Sequence, residues 1–248
     1  MSHKSSEKVS QLAPAEIQQL TFGVRYEPQF KLLDRIGSVI DEILQAEGSP
    51  FDPARFPLSD SNIYQYRLLS ELGDSYLLIN QQDIVLQLPL KTRTDGQIDS
   101  WASDFQEYAL GPLRKIGGVR SILRYGVMFR FKEEDAASLE NPPVKRYLSP
   151  EFSTVNSLAM HFSRRLAMDE ALLKKRVNDF RSAIYTVGQT ESGRVQVSID
   201  YQHYFQPALD AGEWDDRPFP EFVRHGTSYV NDEFQKWFRR FMAVSEVA

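Results

Sequence analysis

Two arginines, an aspartate and a histidine are the residues whose types and spacing could do chemistry in this chain. Arg164 and Arg165 adjoin, and Asp200 stands three places before His203. Guanidinium groups bind phosphate through paired N–H donors. Arg164 or Arg165 with Asp200 in one pocket would suit a nucleotide or another phosphate ester. His161 and His203, with Asp200 near the second, could instead share a divalent metal. The basic residues Lys174, Lys175 and Arg176, with Tyr185, Tyr201 and Tyr204, would suit single-stranded nucleic acid on a sheet face. Each set also has a plainer reading as a solvated sheet face or a charged edge that discourages aggregation. The acidic loop around Glu213, Asp215 and Asp216 could contact a cation or a basic partner, but solvation alone accounts for it.

Strand geometry limits these sets. Side chains alternate between the two faces of a sheet. Asp200 and Gln202 therefore share one face, while Tyr201 and His203 share the other. Arg164 and Arg165 point to opposite faces in the same way. The recognisable catalytic frameworks are missing. There is no phosphate-binding G-x-x-x-x-G-K-S/T or G-x-G-x-x-G, no G-x-S-x-G elbow and no H-E-x-x-H. With no cysteine, thiolate catalysis, cysteine-held zinc and disulfides are excluded. No metal and no cofactor is expected. A net charge of -5 argues against a dedicated double-stranded nucleic-acid binder.

The elements that must hold these residues read as α+β. Residues 1–14 are polar and read as a disordered lead-in. Leu20, Phe22, Val24 and Tyr26 alternate, which predicts a strand over Ile17 to Tyr26, with Gly23 marking a bulge or a close backbone approach. Leu32, Ile36, Val39, Ile40 and Ile43 form one stripe of a helix from about Phe30 to Ala46, and Gly48 is placed to end it. Three short strands follow, Ile63 to Leu72, Ser75 to Asn80 and Ile84 to Leu90, as an antiparallel meander. A helix capped by Asp99 or Ser100 buries Trp101, Phe105, Tyr108 and Ala109, and Gly111-Pro112 kinks or breaks it, with Leu113 to Ile116 as a last turn.

The same order then recurs. Leu123-Arg124-Tyr125-Gly126-Val127-Met128-Phe129 mirrors Leu20-Thr21-Phe22-Gly23-Val24-Arg25-Tyr26. It opens a strand from Ser121 to Phe131. In place of a helix comes an irregular excursion, Glu133 to Pro150. Strands follow at Val155 to Met168, Val177 to Val187 and Arg194 to Phe205. Pro207 to Pro220 reads as a surface loop containing the acidic residues, and His225 as a loop histidine. A last helix from Thr227 or Ser228 to Ala243 carries Val230, Phe234, Trp237, Phe238 and Phe241.

The predicted fold is thus α+β: antiparallel sheet with helices on one face, in two pseudo-duplicated halves of pattern β-α-β-β-β-α. Residues 15–118 form the first and 119–248 the second. The plan is similar to duplicated helix-on-sheet folds of the TATA-binding-protein-like and helix-grip types, an analogy that licenses no function.

In its entry strand Leu20 to Tyr26, its mid-chain Arg124 to Phe129, its strand Val197 to Tyr201 and its closing helix from Asn231-Asp232 to Phe241, the chain resembles a sporadically distributed family of uncharacterised prokaryotic proteins. Met128 stands where that family more often has arginine. The resemblance implies a two-half α+β protein with no assigned catalytic residues. The expected role is a cytoplasmic, non-enzymatic binding protein of bacterial type. Its expected partner is another protein; the alternative is an enzyme or binder acting on a nucleotide or phosphate ester, and the second alternative a binder of single-stranded nucleic acid. Arg164, Arg165, Asp200 and His203 are the candidate ligand-binding residues.

Overall fold

A computed structural model describes residues 16–47, 49–53, 65–90, 95–132, 134–135, 158–168, 176–189 and 194–237. Its frame is one antiparallel sheet. The strands are β1 (Ile17–Tyr26), β2 (Gln65–Leu69), β3 (Tyr76–Asn80), β4 (Asp83–Pro89), β5 (Ser121–Phe131), β6 (Glu134–Asp135), β7 (Leu158–Leu166), β8 (Phe180–Gln189) and β9 (Arg194–Asp210). Their order is β2-β3-β4-β1-β5-β9-β8-β7, with β6 paired to β9.

This order is palindromic. Each half lays its opening strand at the centre and its meander outward. The two opening strands run antiparallel with Gly23 directly opposite Gly126. A pseudo-twofold axis therefore passes between these glycines, at the middle of the repeated heptapeptide. The duplication read in sequence becomes the central seam of the sheet.

Helices cover one face, because the alternate residues there are apolar. Leu20, Phe22, Val24 and Tyr26 of β1 are buried, as are Ile84, Leu86 and Leu88 of β4 and Val195, Val197, Ile199 and Tyr201 of β9. Against them pack α1 (Phe30–Gln45), α2 (Asp95–Phe105), α3 (Gly111–Lys115) and α4 (Phe219–Tyr229). All five predicted stripe residues of α1 are buried.

Several boundaries differ from expectation. The second helix starts at Asp95, a turn before the predicted Asp99 or Ser100. It passes through a π-helical turn, Gln106–Leu110, into α3, where Pro112 occupies the first turn. The helical path continues across the proline because the π-helical turn widens the backbone just before it, with the Gly111 N–H reaching back to the Gln106 carbonyl. β9 extends through Pro207 to Asp210, where a loop was expected. Its pairing with β8 ends at Tyr204, and its pairing with β5 skips from Tyr204 to Leu209 across a bulge. Pro207 falls in that gap, where no ladder donor is required. The last helix begins at Phe219 because Pro220 suits a first turn, so His225 is helical and faces Glu221 at 3.8 Å. The tail, Gly48, most of the Glu133–Pro150 excursion, and Phe238 and Phe241 lie outside the described residues.

One glycine sets how closely α4 approaches the sheet. A Cβ on Gly226 would stand 2.8 Å from Val127 Cγ1 and 3.1 Å from Tyr201 Cδ1. Gly226→Ala is expected to destabilise by about 1–3 kcal/mol through overpacking, despite alanine's better helix propensity. An unchanged or raised urea midpoint would contradict that packing.

Candidate functional site

The other face of the sheet is covered by no described helix, and most of its residues are half-buried or exposed, with Gln202 and Ser182 buried at its middle. Cross-strand register arranges them in rows. The axial row runs Arg67, Leu78, Val85, Gly23, Gly126, Gln202, Ser182, Arg165. On one side lies the row Asp83, Arg25, Arg124, Tyr204, Phe180. On the other lies Leu69, Tyr76, Gln87, Thr21, Met128, Asp200, Ile184, Ser163. These rows hold the arginines 25, 67, 124 and 165 against the aspartates 83 and 200. The local balance is positive on a chain whose net charge is -5.

Three of the arginines rest on rings. The Arg67 guanidinium lies 4.4 Å from the centre of the Tyr76 ring, Arg165 lies 4.8 Å from Phe180, and Arg124 lies 5.7 Å from Tyr204. Phe180 and Tyr204 are stacked on each other at 4.5 Å. The result is a ladder, Arg165–Phe180–Tyr204–Arg124, whose ring faces are all occupied. Such stacking fixes a guanidinium while leaving its hydrogen-bonding edge free. Among the described residues, none of these three arginines has a carboxylate within ion-pair distance. Arg25 differs, with Asp83 at 3.9 Å and Gln82 Oε1 at 3.3 Å.

The axis makes the arrangement easy to parse. It relates Arg67 on Tyr76 to Arg165 on Phe180, and Asp83 to Asp200. It relates Arg25 to Met128 and Arg124 to Thr21. The frame is symmetric, but the two inner arginines are not. Arg25 and Arg124 are cross-strand neighbours on one side of the glycines. Like charges placed opposite one another destabilise a sheet by up to about 1 kcal/mol.

Between these groups is a concavity of about 170 Å³ lined by Thr21, Gly23, Arg25, Asp83, Val85, Arg124, Gly126, Met128, Asp200 and Gln202. The Tyr204 hydroxyl donates to Gln202 Oε1, and Gln202 Nε2 donates to Asp200 Oδ2. Burial raises the Asp200 carboxyl above its ordinary range, opposed by the Gln202 hydrogen bond and by the nearby Arg124 charge.

The four predicted site residues do not converge. Asp200 and Arg165 belong to the uncovered face. Arg164 pairs with Ala183 and His203 with Arg181 on the helix side, because neighbouring strand residues alternate. Of the two arginines that could accompany Asp200 in a phosphate-ester pocket, Arg165 shares its face and Arg164 does not. The two histidines are likewise split, His161 facing Thr186 at 3.0 Å on the open side. Among the described residues, no three His, Asp or Glu side chains group as metal ligands.

His203 is instead part of a buried charged cluster. Arg181 Nε donates to its Nδ1 at 3.3 Å, so the ring proton resides on Nε2 and points at Asp179 Oδ2, also 3.3 Å away. Asp179 further accepts from Arg176 Nε and from the Gln206 backbone N–H, each at 2.8 Å. Both imidazole nitrogens are occupied, which leaves neither free to act as a base. The acidic loop serves this chain's own arginines. Glu213 meets Arg176 at 3.0 Å, and Asp215 meets Arg114 at 3.0 Å on the rim of a 660 Å³ cleft beside Trp214.

Sequence reasoning missed Arg25, Arg67 and Arg124. The signal that could have found two of them was the repeat itself. Once two copies pair about their shared glycine, the residues two places away must become neighbours.

No protein-family model matches the chain, and no curated protein matches it. Among solved structures the chain is similar to Methanococcus jannaschii TBP, at 11% identity over 86% of this chain and 99% of that one, with a TM-score of 0.28. A likeness of that degree carries no functional argument. Among the described residues, no helix is long and apolar enough to cross a membrane.

Proposed function

We propose that this chain is a non-enzymatic binding protein that receives an anionic partner on the uncovered face of its sheet. The observation that carries this reading is the set Arg67, Arg124 and Arg165, each held against a ring with no ion pair to its donor edge among the described residues. Guanidinium groups left without carboxylates are what an anionic surface would pair with. Arg67 and Arg165 stand seven strand spacings apart, about 30–35 Å along the sheet, so the partner is a polymer or a broad surface. The closed hydrogen bonding of His203 supports the non-enzymatic part.

The test is elution from immobilised heparin in a salt gradient. Arg67→Glu combined with Arg165→Glu should elute at clearly lower salt than the parent. Lys31→Glu combined with Arg35→Glu, the same charge change on α1, should shift elution much less. Equal shifts for the two double variants would mean that only net charge matters, and would sink the assignment of the face. A turnover by the purified protein that the Arg67/Arg165 variant abolishes would refute the non-enzymatic reading.

A further inference from the structure

The glycines at the axis have no conformational or packing reason to be glycine. Neither has the positive φ that favours glycine; among the described residues that conformation occurs at Gly73 and Gly118. A Cβ built on Gly23 meets nothing within 4 Å, and one on Gly126 meets Asp200 Oδ1 at an ordinary 3.7 Å. Yet both stand in the interior of the two central strands, where glycine weakens a sheet and commonly marks close approach by a ligand. Side by side, they leave a patch of bare peptide backbone on an otherwise side-chain-covered face.

The groups around this patch are complementary to one kind of molecule. The floor lacks side chains, so a ring can approach the peptide backbone there. Asp200 Oδ1 stands beside Gly126, and its other oxygen is held by Gln202, which Tyr204 holds in turn. That relay fixes the Asp200 acceptor at the edge of the floor, where it can accept from an amino or imino group of a ring, while the buried Gln202 holds it in place. Arg25 and Arg124 lie two residues along their strands from the glycines, about 6.7 Å. That separation suits a phosphate attached to the same ring system. The 170 Å³ available is the space of about six waters, a ring rather than a whole polymer.

We propose that the concavity over Gly23 and Gly126 is a subsite for one nucleotide unit. The base lies over the glycine floor with its amino or imino edge toward Asp200, and the phosphate lies between Arg25 and Arg124. This assignment rests on the docking role proposed for the same face. It also accounts for the like-charged Arg25–Arg124 pair, which a phosphate would relieve.

Equilibrium titration of the full chain with the four ribonucleoside monophosphates, a ten-nucleotide mixed-sequence single strand and inorganic phosphate tests it. At least one nucleotide probe should bind more tightly than inorganic phosphate. A strand preferred over every monophosphate identifies a unit within a polymer, and the reverse identifies a free nucleotide; either supports the subsite. Gly23→Val should weaken that binding by about tenfold or more, the effect of losing close contact, while leaving the melting temperature unchanged or higher. Asp200→Asn should weaken binding of bases with an amino donor more than of those without. Should Gly23→Val itself fold poorly, Gly23→Ala, which meets no neighbour, provides the same reading on a smaller scale. Phosphate binding as tightly as every nucleotide, no binding at millimolar probe, or glycine variants that bind like the parent would each overturn the proposal. Its failure is distinguishable from failure of the docking role: a heparin shift confined to the Arg67/Arg165 variant, with no glycine effect, leaves the docking face standing without the nucleotide.

Discussion

Phe22→Ala is expected to lower the free energy of unfolding by about 3–5 kcal/mol, the cost of truncating a fully buried phenylalanine. For a chain of this size that corresponds to a melting temperature about 10 °C lower. Phe22 projects from the central strand of the first half and is 0% exposed. Its ring lies 5.8 Å from Phe105, in the first half's helix, and 5.5 Å from Phe219, in the second half's. Phe105 and Phe219 are themselves 5.2 Å apart, and Tyr125 of the second central strand is 5.2 Å from Phe219. Removing this ring opens a cavity where both halves meet, and rigid sheet backbone below it limits collapse. Phe22→Leu, which refills most of the volume, should lose much less. Chemical denaturation of the three proteins decides the matter. A loss below about 1 kcal/mol for the alanine variant would show that the aromatic cluster does not join the halves.

The reach of sequence reasoning here follows the range of the forces involved. β1 and α1 were legible because a local period determines which face is apolar, and burial enforces it. The same holds for β5, whose bounds the alternation gives correctly. Misjudged segments were those where partners distant in sequence decide. Pro207 reads as a strand terminator, but β5 supplies pairing beyond the bulge at Leu209 and Asp210, so β9 continues. Phe219 and Pro220 look like loop residues until the aromatic cluster over the axis supplies a place for a helix start.

For the candidate site, alternation was enough to show that Asp200 and His203 face apart. It could not show that Tyr204 and Phe180 stack, or that Arg124 and Arg25 become neighbours. Those contacts depend on strand order, and strand order follows from how two copies of one heptapeptide pair. The repeat thus fixes the address of the site, its central glycines. The residues that break the symmetry, Arg124 against Thr21 and Met128 against Arg25, give it a polarity. A symmetric scaffold with an asymmetric charge pair can present one orientation to a directional ligand. That is why Met128 in the place of a second arginine is informative. Met128→Arg would restore one of the two broken pairs, beside Asp200, and should reduce any orientation preference.

The second large effect is expected at Asp179. Its side chain is 3% exposed and that of Arg176 is 9% exposed. Asp179→Ala would leave Arg176 buried without its nearest carboxylate, His203 without its acceptor and the Gln206 N–H unpaired. Breaking a buried ionic arrangement from one side costs about 3–5 kcal/mol. The same cluster gives stability a pH dependence with a defined sign. Burial holds the His203 imidazole below its ordinary value, and the Arg181 charge adds to this, while the Asp179 hydrogen bond opposes it. The unfolded chain therefore takes up a proton near pH 6.5 that the folded chain refuses until lower pH. Stability falls as pH drops through that window. For Asp179 burial works upward, but hydrogen bonds from His203, the Gln206 N–H and Arg176 outweigh it and hold the carboxyl below its ordinary 3.8. Its contribution is complete above that value and is lost as pH falls beneath it. Acid unfolding should thus begin with His203 and finish with Asp179. Urea midpoints at about pH 7.5, 6 and 5 should decline for the parent and flatten for His203→Gln, in which the first step has no titrating group. A parental midpoint that stays level across that range would show that the buried imidazole is not what resists the proton.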